Sequence, residues 1–302
     1  MVNFRAEPVR VRVPATSANL GPGFDALGLA LGLYDHISAR VVADDSITVQ
    51  VIGEGSGELA GDATHLVASS AIVAFERIGG SPPGLSIDCV NAIPQARGLG
   101  SSSAAIVAGI LVARGLVVDG EDHLDMAGVL RLASEIERHP DNVAACLYGG
   151  FTIAWLDADG ARAVRLEPHP DVQPLVFVPA ERGLTAHARA ALPPVVPHGD
   201  AAHSAGRAAL LVHALTRDPT LLYPATEDRL HQRYRAAGVP ASADLVSQLR
   251  EAGVAAVVSG AGPSVLALTT ANVRVPDTPG WLRLSPPCDV MGAVCEVGLP
   301  QR

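Results

Sequence analysis

Apolar and polar positions along this chain fall into short alternating runs, read as strands, and longer runs with helical spacing. Val9 to Val13 alternates valine with arginine, a strand with one exposed face, and ends at Pro14. An apolar run resumes over Leu27 to Leu33. Ile37 to Val42 and Ser46 to Ile52 predict a hairpin or meander turning at Ala43-Asp44-Asp45. His65 to Ile78 has helical spacing and stops at Gly79-Gly80. Leu85 to Ile93 reads as a strand, and the small and aliphatic run from Ser101 to about Gly115 as a buried helix. Leu124 to Arg138 is a further helix, with apolar positions at 126, 129, 130, 132, 133 and 136. After the short segment Val143 to Leu147 come strands at Phe151 to Trp155 and Ala163 to Leu166, turning at Asp157-Ala158-Asp159-Gly160.

Around 166 to 174 the composition shifts to Pro, His and Asp, which marks a domain boundary and divides the chain into 1–168 and 169–302. Beyond it the pattern predicts a strand at Leu175 to Val178 and a short helix at Leu184 to Leu192. A long helix follows at His203 to Leu215, then a polar stretch at Asp228 to Arg235. The helix Leu245 to Ala252 is capped by Gly253, and strands at Val254 to Val258 and Val265 to Thr269 flank the turn Ser259 to Ser264. A late apolar stretch spans 289 to 298.

Composition narrows the function classes. At 48% hydrophobic and 18% charged, 302 residues bury a sizeable core. Apolar runs break well short of the roughly 20 residues a membrane span needs, and the first dozen residues lack a signal-peptide core, so the expectation is a soluble cytoplasmic protein. The net charge of −9, with no basic block, argues against nucleic acid or an anionic membrane as partner. Four scattered cysteines fit free thiols, and neither they nor the ten histidines show metal-site spacing. No lysine occurs: all 22 basic residues are arginine. A lysine base, a lysine Schiff base and a lysine-bearing phosphate loop are thereby excluded.

One stretch carries the clearest chemistry: Pro94-Gln95-Ala96-Arg97-Gly98-Leu99-Gly100-Ser101-Ser102-Ser103-Ala104. A glycine-rich turn between strand and helix aims free N–H groups and the positive end of the helix dipole at whatever lies there, which suits phosphate. The plain alternative is an ordinary junction with serine as N-cap. In the turn-rich stretch Ala15 to Asp25, Asn19 and Asp25 are able to recognise a ligand or to hold the loop by Asx turns. Glu135 and Glu137 oppose the dipole at a helix C-terminus, a hint of use.

Taken together, the stretches 14–25, 94–104 and 259–264 resemble, in order and spacing, the three motifs of the GHMP small-molecule kinases. Five further stretches resemble the branch of that family that phosphorylates the amino acid homoserine: the detailed form of Ser17 to Asp25, His139-Pro140-Asp141-Asn142, Thr185-x-x-x-Arg189, Arg207 to Leu211 and Asp228 to Arg235. The resemblance implies an α+β fold, with a ribosomal-S5-like ATP-binding domain at 1–168 and a ferredoxin-like domain at 169–302. It implies ATP wrapped by Pro94 to Ala104, and Mg²⁺ on Ser102 and Glu135 with Glu137 the close alternative. Asn19, Asp25, Asp141 and Gly260 would hold the amino acid, with Arg189 and Arg235 on its carboxylate. Asp141 and Asn142 are the catalytic candidates, Asp141 as hydrogen-bond partner of the hydroxyl; an amide at 142 cannot accept a proton. Other small alcohols such as shikimate, or ATP binding without catalysis, are the alternatives. A homodimer is compatible with the resemblance, though no stretch marks an interface. Departures from the pattern are Arg138 where glycine is common, Ser204 for asparagine and Arg233 for proline.

Overall fold

In the computed structural model the valine–arginine alternation opens β1 (Val9–Ala18), which runs on past Pro14 because a register shift there absorbs the missing N–H. The structure describes residues 2–183 and 185–298, with the side chains of 185–187 outside the description. β2 (Leu27–Val42) is one strand of 16 residues that joins the apolar run Leu27–Leu33 to the predicted strand Ile37–Val42, since β1 pairs along its length.

β3 (Ile47–Gly53), α1 (Leu66–Ile78) and β4 (Gly84–Asn91) follow. The predicted pairing of β2 with β3 is not formed: β4 inserts between them, antiparallel to β2 and parallel to β3. Burial explains the order. Alternate residues of β4 (Leu85, Ile87, Cys89) are fully buried, whereas β3 buries only Val49 and leaves Ile52 exposed, which suits a sheet edge. Four helices come next: α2 (Ser101–Leu116), α3 (Gly120–His123), α4 (Met126–Glu137) and α5 (Asp141–Tyr148). α1 and α2 pack together over the sheet, and Phe75 of α1 is fully buried, worth about 2–3 kcal/mol of apolar burial. β5 (Phe151–Asp157) and β6 (Gly160–Leu166) form a hairpin joined to the start of β2.

The second sheet begins with β7 (Gln173–Val178). Then come α6 (Thr185–Ala190), α7 (His198–Thr216), α8 (Leu222–Ala225), α9 (Gln232–Arg235) and α10 (Pro240–Glu251). The predicted helix at Leu184 to Leu192 corresponds to α6, its first residue lying outside the described residues. α7 starts five residues before the predicted His203, since its first turn, behind Pro197, is polar and carries no apolar signal. β8 (Ala255–Val258), β9 (Val265–Thr269) and β10 (Leu282–Leu284) complete an antiparallel sheet of order β10-β7-β9-β8. Its strands alternate strictly. Leu175, Phe177, Val265 and Ala267 face Leu245 and Leu249 of α10, while Val176, Val178, Leu266 and Leu268 join the core shared with Leu211 and Leu215 of α7. The late apolar stretch yields β11 (Val294–Val297), which leaves the second sheet and pairs antiparallel with β1 at the edge of the first. The two-sheet α+β architecture agrees with the expectation from sequence. Among the described residues, no helix is long and apolar enough to cross a membrane.

Candidate active site

The three glycine-rich stretches, far apart in sequence, meet beside a cleft of about 510 Å³. The loop between β4 and α2 turns on Ala96, Gly98 and Gly100, all at positive φ. A Cβ at Gly98 would stand 2.2 Å from the Ser259 carbonyl oxygen, and one at Gly100 1.9 Å from Thr16 Oγ1. Only glycine allows this approach. Backbone bonds tie the loops together: Thr16 N–H donates to Leu99 O (3.0 Å), Ser264 N–H to Arg97 O (3.2 Å) and Gly260 N–H to Ala18 O (3.1 Å). Ser259 Oγ reaches both Ser17 Oγ (2.8 Å) and Gly98 O (2.7 Å).

α2 opens on Gly100 with no side-chain cap, so the N–H groups of its first turn stay free beside the cleft, which Gly100, Ser101 and Ser102 line. An anion is their natural partner. Of the loop's side chains, Arg97 lines the cleft with its guanidinium already donating to the carbonyls of Pro179, Gln95 and Ala180. Ser102 Oγ and Ser103 Oγ both donate to Glu137 Oε1, at 2.6 and 2.9 Å. Glu135 is not brought to the cleft. Its carboxylate pairs with Arg77 of α1 (2.8 Å) on the outer surface. The two glutamates stand two residues apart on α4, about 200° around the helix, so only one can face Ser102. That one is Glu137.

At the other end of the cleft, side chains replace backbone. Asn19 Nδ2 donates to Gly260 O (2.8 Å) and its Oδ1 accepts from Asp25 N–H (2.9 Å), holding Asp25 at positive φ. Asp25 takes a two-pronged bond from Arg189 on α6, at 2.8 and 2.9 Å. Arg235, on α9, is buried, and burial lowers its pKa. It donates to Ala188 O (3.1 Å) and to His231 Nδ1 (3.3 Å), and lies 5.0 Å from the Phe24 ring centre. His231 in turn bonds Gly21 O through Nε2 (2.7 Å). This tautomer, with the proton on Nε2, fits burial, which lowers the imidazole's pKa.

Asp141 opens α5, almost fully buried at 3% exposure, and its Oδ1 accepts from Asn142 N–H (2.8 Å) and pairs with His139 Nδ1 (3.2 Å). That bond raises the pKa of His139. Asn142 Oδ1 accepts the Thr16 hydroxyl (2.8 Å), so the amide braces the first loop against α5.

Asn19, Asp25, Asp141, Asn142, Arg189, Arg235 and Gly260 all line the one cleft. Sequence reasoning gave no site role to His139, Asp35, His65 and Leu59, which also line it. His139 stands inside a quoted motif, but Asp35 falls in the gap between two apolar stretches and His65 reads as a helix start. Two departures from the family pattern have plain structural roles. Arg138 caps α4 in the left-handed region, φ 74°, where glycine would be relaxed. Ser204 Oγ accepts from Arg229 N–H (3.1 Å), away from the cleft. The motif residues Thr185 and His187 have side chains outside the described residues.

Similarity to known proteins follows the same lines. Residues 65–150 match the GHMP kinases N terminal domain and residues 208–274 the GHMP kinases C terminal domain. Homoserine kinase of Streptomyces coelicolor is 61% identical over 269 residues, 89% of this chain and 87% of that protein. Homoserine kinase of Clavibacter michiganensis is 50% identical over 298 residues, 96% of this chain and 94% of that protein. The crystal structure of homoserine kinase from Cytophaga hutchinsonii superposes with a TM-score of 0.83 at 26% identity, covering 97% of this chain and 99% of that one. The chain belongs to the GHMP kinases, within their homoserine kinase family.

Proposed function

We propose that this enzyme transfers the γ-phosphoryl group of ATP to the side-chain hydroxyl of L-homoserine, giving O-phospho-L-homoserine for threonine biosynthesis. The observation that carries the reading is the single cleft that holds an uncapped helix N-terminus with Ser102 and Glu137 at one end and paired acids and arginines at the other. The loop from Pro94 to Ala104 holds the triphosphate through its backbone N–H groups, since a chain without lysine must handle phosphate with backbone N–H groups, arginines and a metal ion.

Ser102 and Glu137 are a hard-oxygen donor set of the kind Mg²⁺ takes: one carboxylate and one hydroxyl, the remaining places left to phosphate and water. Bound there, the ion neutralises phosphate charge. The zwitterion of homoserine is matched by charge: Asp25 and Asp141 suit its ammonium, and Arg189 and Arg235 suit its carboxylate, a task for planar guanidinium groups. Asp141 accepts a hydrogen bond from the hydroxyl and orients its oxygen toward the γ-phosphorus. Asn142 cannot accept a proton, and its oxygen is already occupied by Thr16. Alignment therefore does most of the work, as phosphoryl transfer permits.

The reading takes 1–168 as the nucleotide domain and 169–302 as the second domain, with a cytoplasmic location. A homodimer is to be tested by light scattering. The decisive assay is coupled ADP release with homoserine, threonine, serine, shikimate and mevalonate as acceptors. Turnover on homoserine with Mg-ATP is expected; its absence would sink the reading.

A further inference from the structure

β2 changes partners along one edge. Its start, Leu27–Leu29, pairs with β5, and its end, His36–Val42, with β4. Asp35 stands immediately before the β4 register begins. β4 ends at Asn91, so the N–H groups of Ala92 and Ile93 have no strand to bond. Asp35 takes both on one oxygen: Oδ1 accepts from Ala92 N–H at 2.7 Å and from Ile93 N–H at 2.9 Å. Pro94 follows, with no N–H to offer, and opens the phosphate loop. The carboxylate is only 5% exposed and lines the cleft. Among the described residues no cation is paired with it. A buried carboxylate without a cation is a cost to folding, and a neutral residue would pack there more cheaply.

We infer that Asp35 is a positioning residue for phosphoryl transfer: its carboxylate fixes the path by which the chain leaves β4 and enters the phosphate loop. It acts through Ala92 and Ile93, not by touching ATP. The inference rests on the reading of this loop as the ATP site.

Burial pushes the Asp35 carboxyl up to about 6, with the Ile93 and Ala92 N–H bonds pulling it back and Glu54 adding to the rise. Cys89 on β4 is pushed up to about 12, and Cys146 on α5 rises well above the usual thiol range, so both stay neutral. His65, before α1, is shifted down by burial and lines the same part of the cleft. Because the folded pKa of Asp35 lies above its unfolded value of 3.8, the group favours the fold fully only below about 3.8, and that contribution is lost as pH rises through about 6. At neutral pH the charged carboxylate therefore weakens the fold while holding the loop. Stability and ATP binding should respond in opposite directions to its removal.

The test uses Asp35→Asn and Asp35→Ala in the full chain, with KM measured for both substrates between about pH 5.5 and 8, and thermal melts at both ends of that range. Asp35→Ala is expected to raise KM for ATP about tenfold while KM for homoserine stays within about twofold. Asp35→Asn should raise KM for ATP less, and its ratio to wild type should fall toward one as pH is lowered to about 5.5, where most of the wild-type carboxyl is itself protonated. Titration of ATP affects both proteins and cancels in the ratio. The Asn variant should melt above wild type at about pH 8 and lose that advantage at about pH 5.5. Equal rises in both KM values, a pH-independent ratio, or a lower melting temperature for Asp35→Asn at about pH 8 would each overturn the inference. If the Ala variant does not fold, the isosteric Asn variant carries the test. Wild-type turnover, read separately, tests the assignment of the cleft itself.

Discussion

The two ends of the cleft are built by opposite means. The phosphate end is backbone: glycines at positive φ, loops bonded N–H to carbonyl, and an uncapped helix start. Its recognition depends on side chains being absent. The acceptor end is built from side chains: Asp25, Asp141, Arg189 and Arg235 come from a loop and three short helices, with Asp25 and Arg189 paired, Arg235 held by Ala188 O and His231, and Asp141 by His139 and Asn142 N–H. Backbone N–H groups do not themselves titrate, whereas the acceptor end is built from charged side chains and should answer directly to charge. Glu137 of α4 meets the serines of the phosphate end at the junction of α4 with the start of α2.

The largest expected effect falls at that junction. Glu137→Gln should lower kcat by about a hundredfold or more, while Glu135→Gln stays within about twofold, in steady-state assays at moderate Mg²⁺. The reverse order would move the metal assignment to the outer face of α4. Within the acceptor end, Arg235→Lys should raise KM for homoserine about 10- to 100-fold with KM for ATP nearly unchanged, because an ammonium cannot reproduce the planar fork. A matching rise for ATP would erase the contrast between the ends.

A smaller effect concerns charge. Asp141 holds His139 above the ordinary imidazole range. The pair's contribution to stability is therefore complete below the ordinary value of about 6.5 and fades as pH rises through the raised one. His139→Gln should cost about 0.5–1 kcal/mol near pH 5.5 and little near pH 8.5, read from denaturant melts at both values. A constant difference would mean the ring serves by shape alone. The smallest effect lies outside both ends: Arg138→Gly should stabilise by about 0.5–1 kcal/mol, by relieving a left-handed residue, without changing either KM.

The contrast also explains what was legible in the sequence. Backbone recognition leaves a continuous mark, so Pro94 to Ala104 and Ser259 to Ser264 stand out as glycine-rich turns. The side chains of the acceptor end leave a scattered one: Asp25 stands out in its turn-rich loop, whereas Arg189 and Arg235 became visible only through resemblance to a family. Glu135 and Glu137 both carry the same local oddity, and only the phase of α4 against α2 separates them. The strand order failed for a related reason. Adjacency at Ala43-Asp44-Asp45 suggests a hairpin, while the apolar demand of β4 for two neighbours, which arises over distance, decides the sheet. Asp35 was missed because a lone acid in a strand normally faces water, and its two N–H partners lie 57 and 58 residues away.

The return of β11 to the edge of β1 makes the molecule a closed circuit rather than two beads on a string. During synthesis β1 emerges long before β11, the strand that closes its edge. Until residue 297 is available, β1 presents an unpaired edge from Val9 to Arg12. A chain cut anywhere between the two sheets would carry the phosphate loop with that edge open, prone to pairing with its neighbours. The first sheet, from which the Pro94 loop leaves, is thus finished only by a strand made long after it.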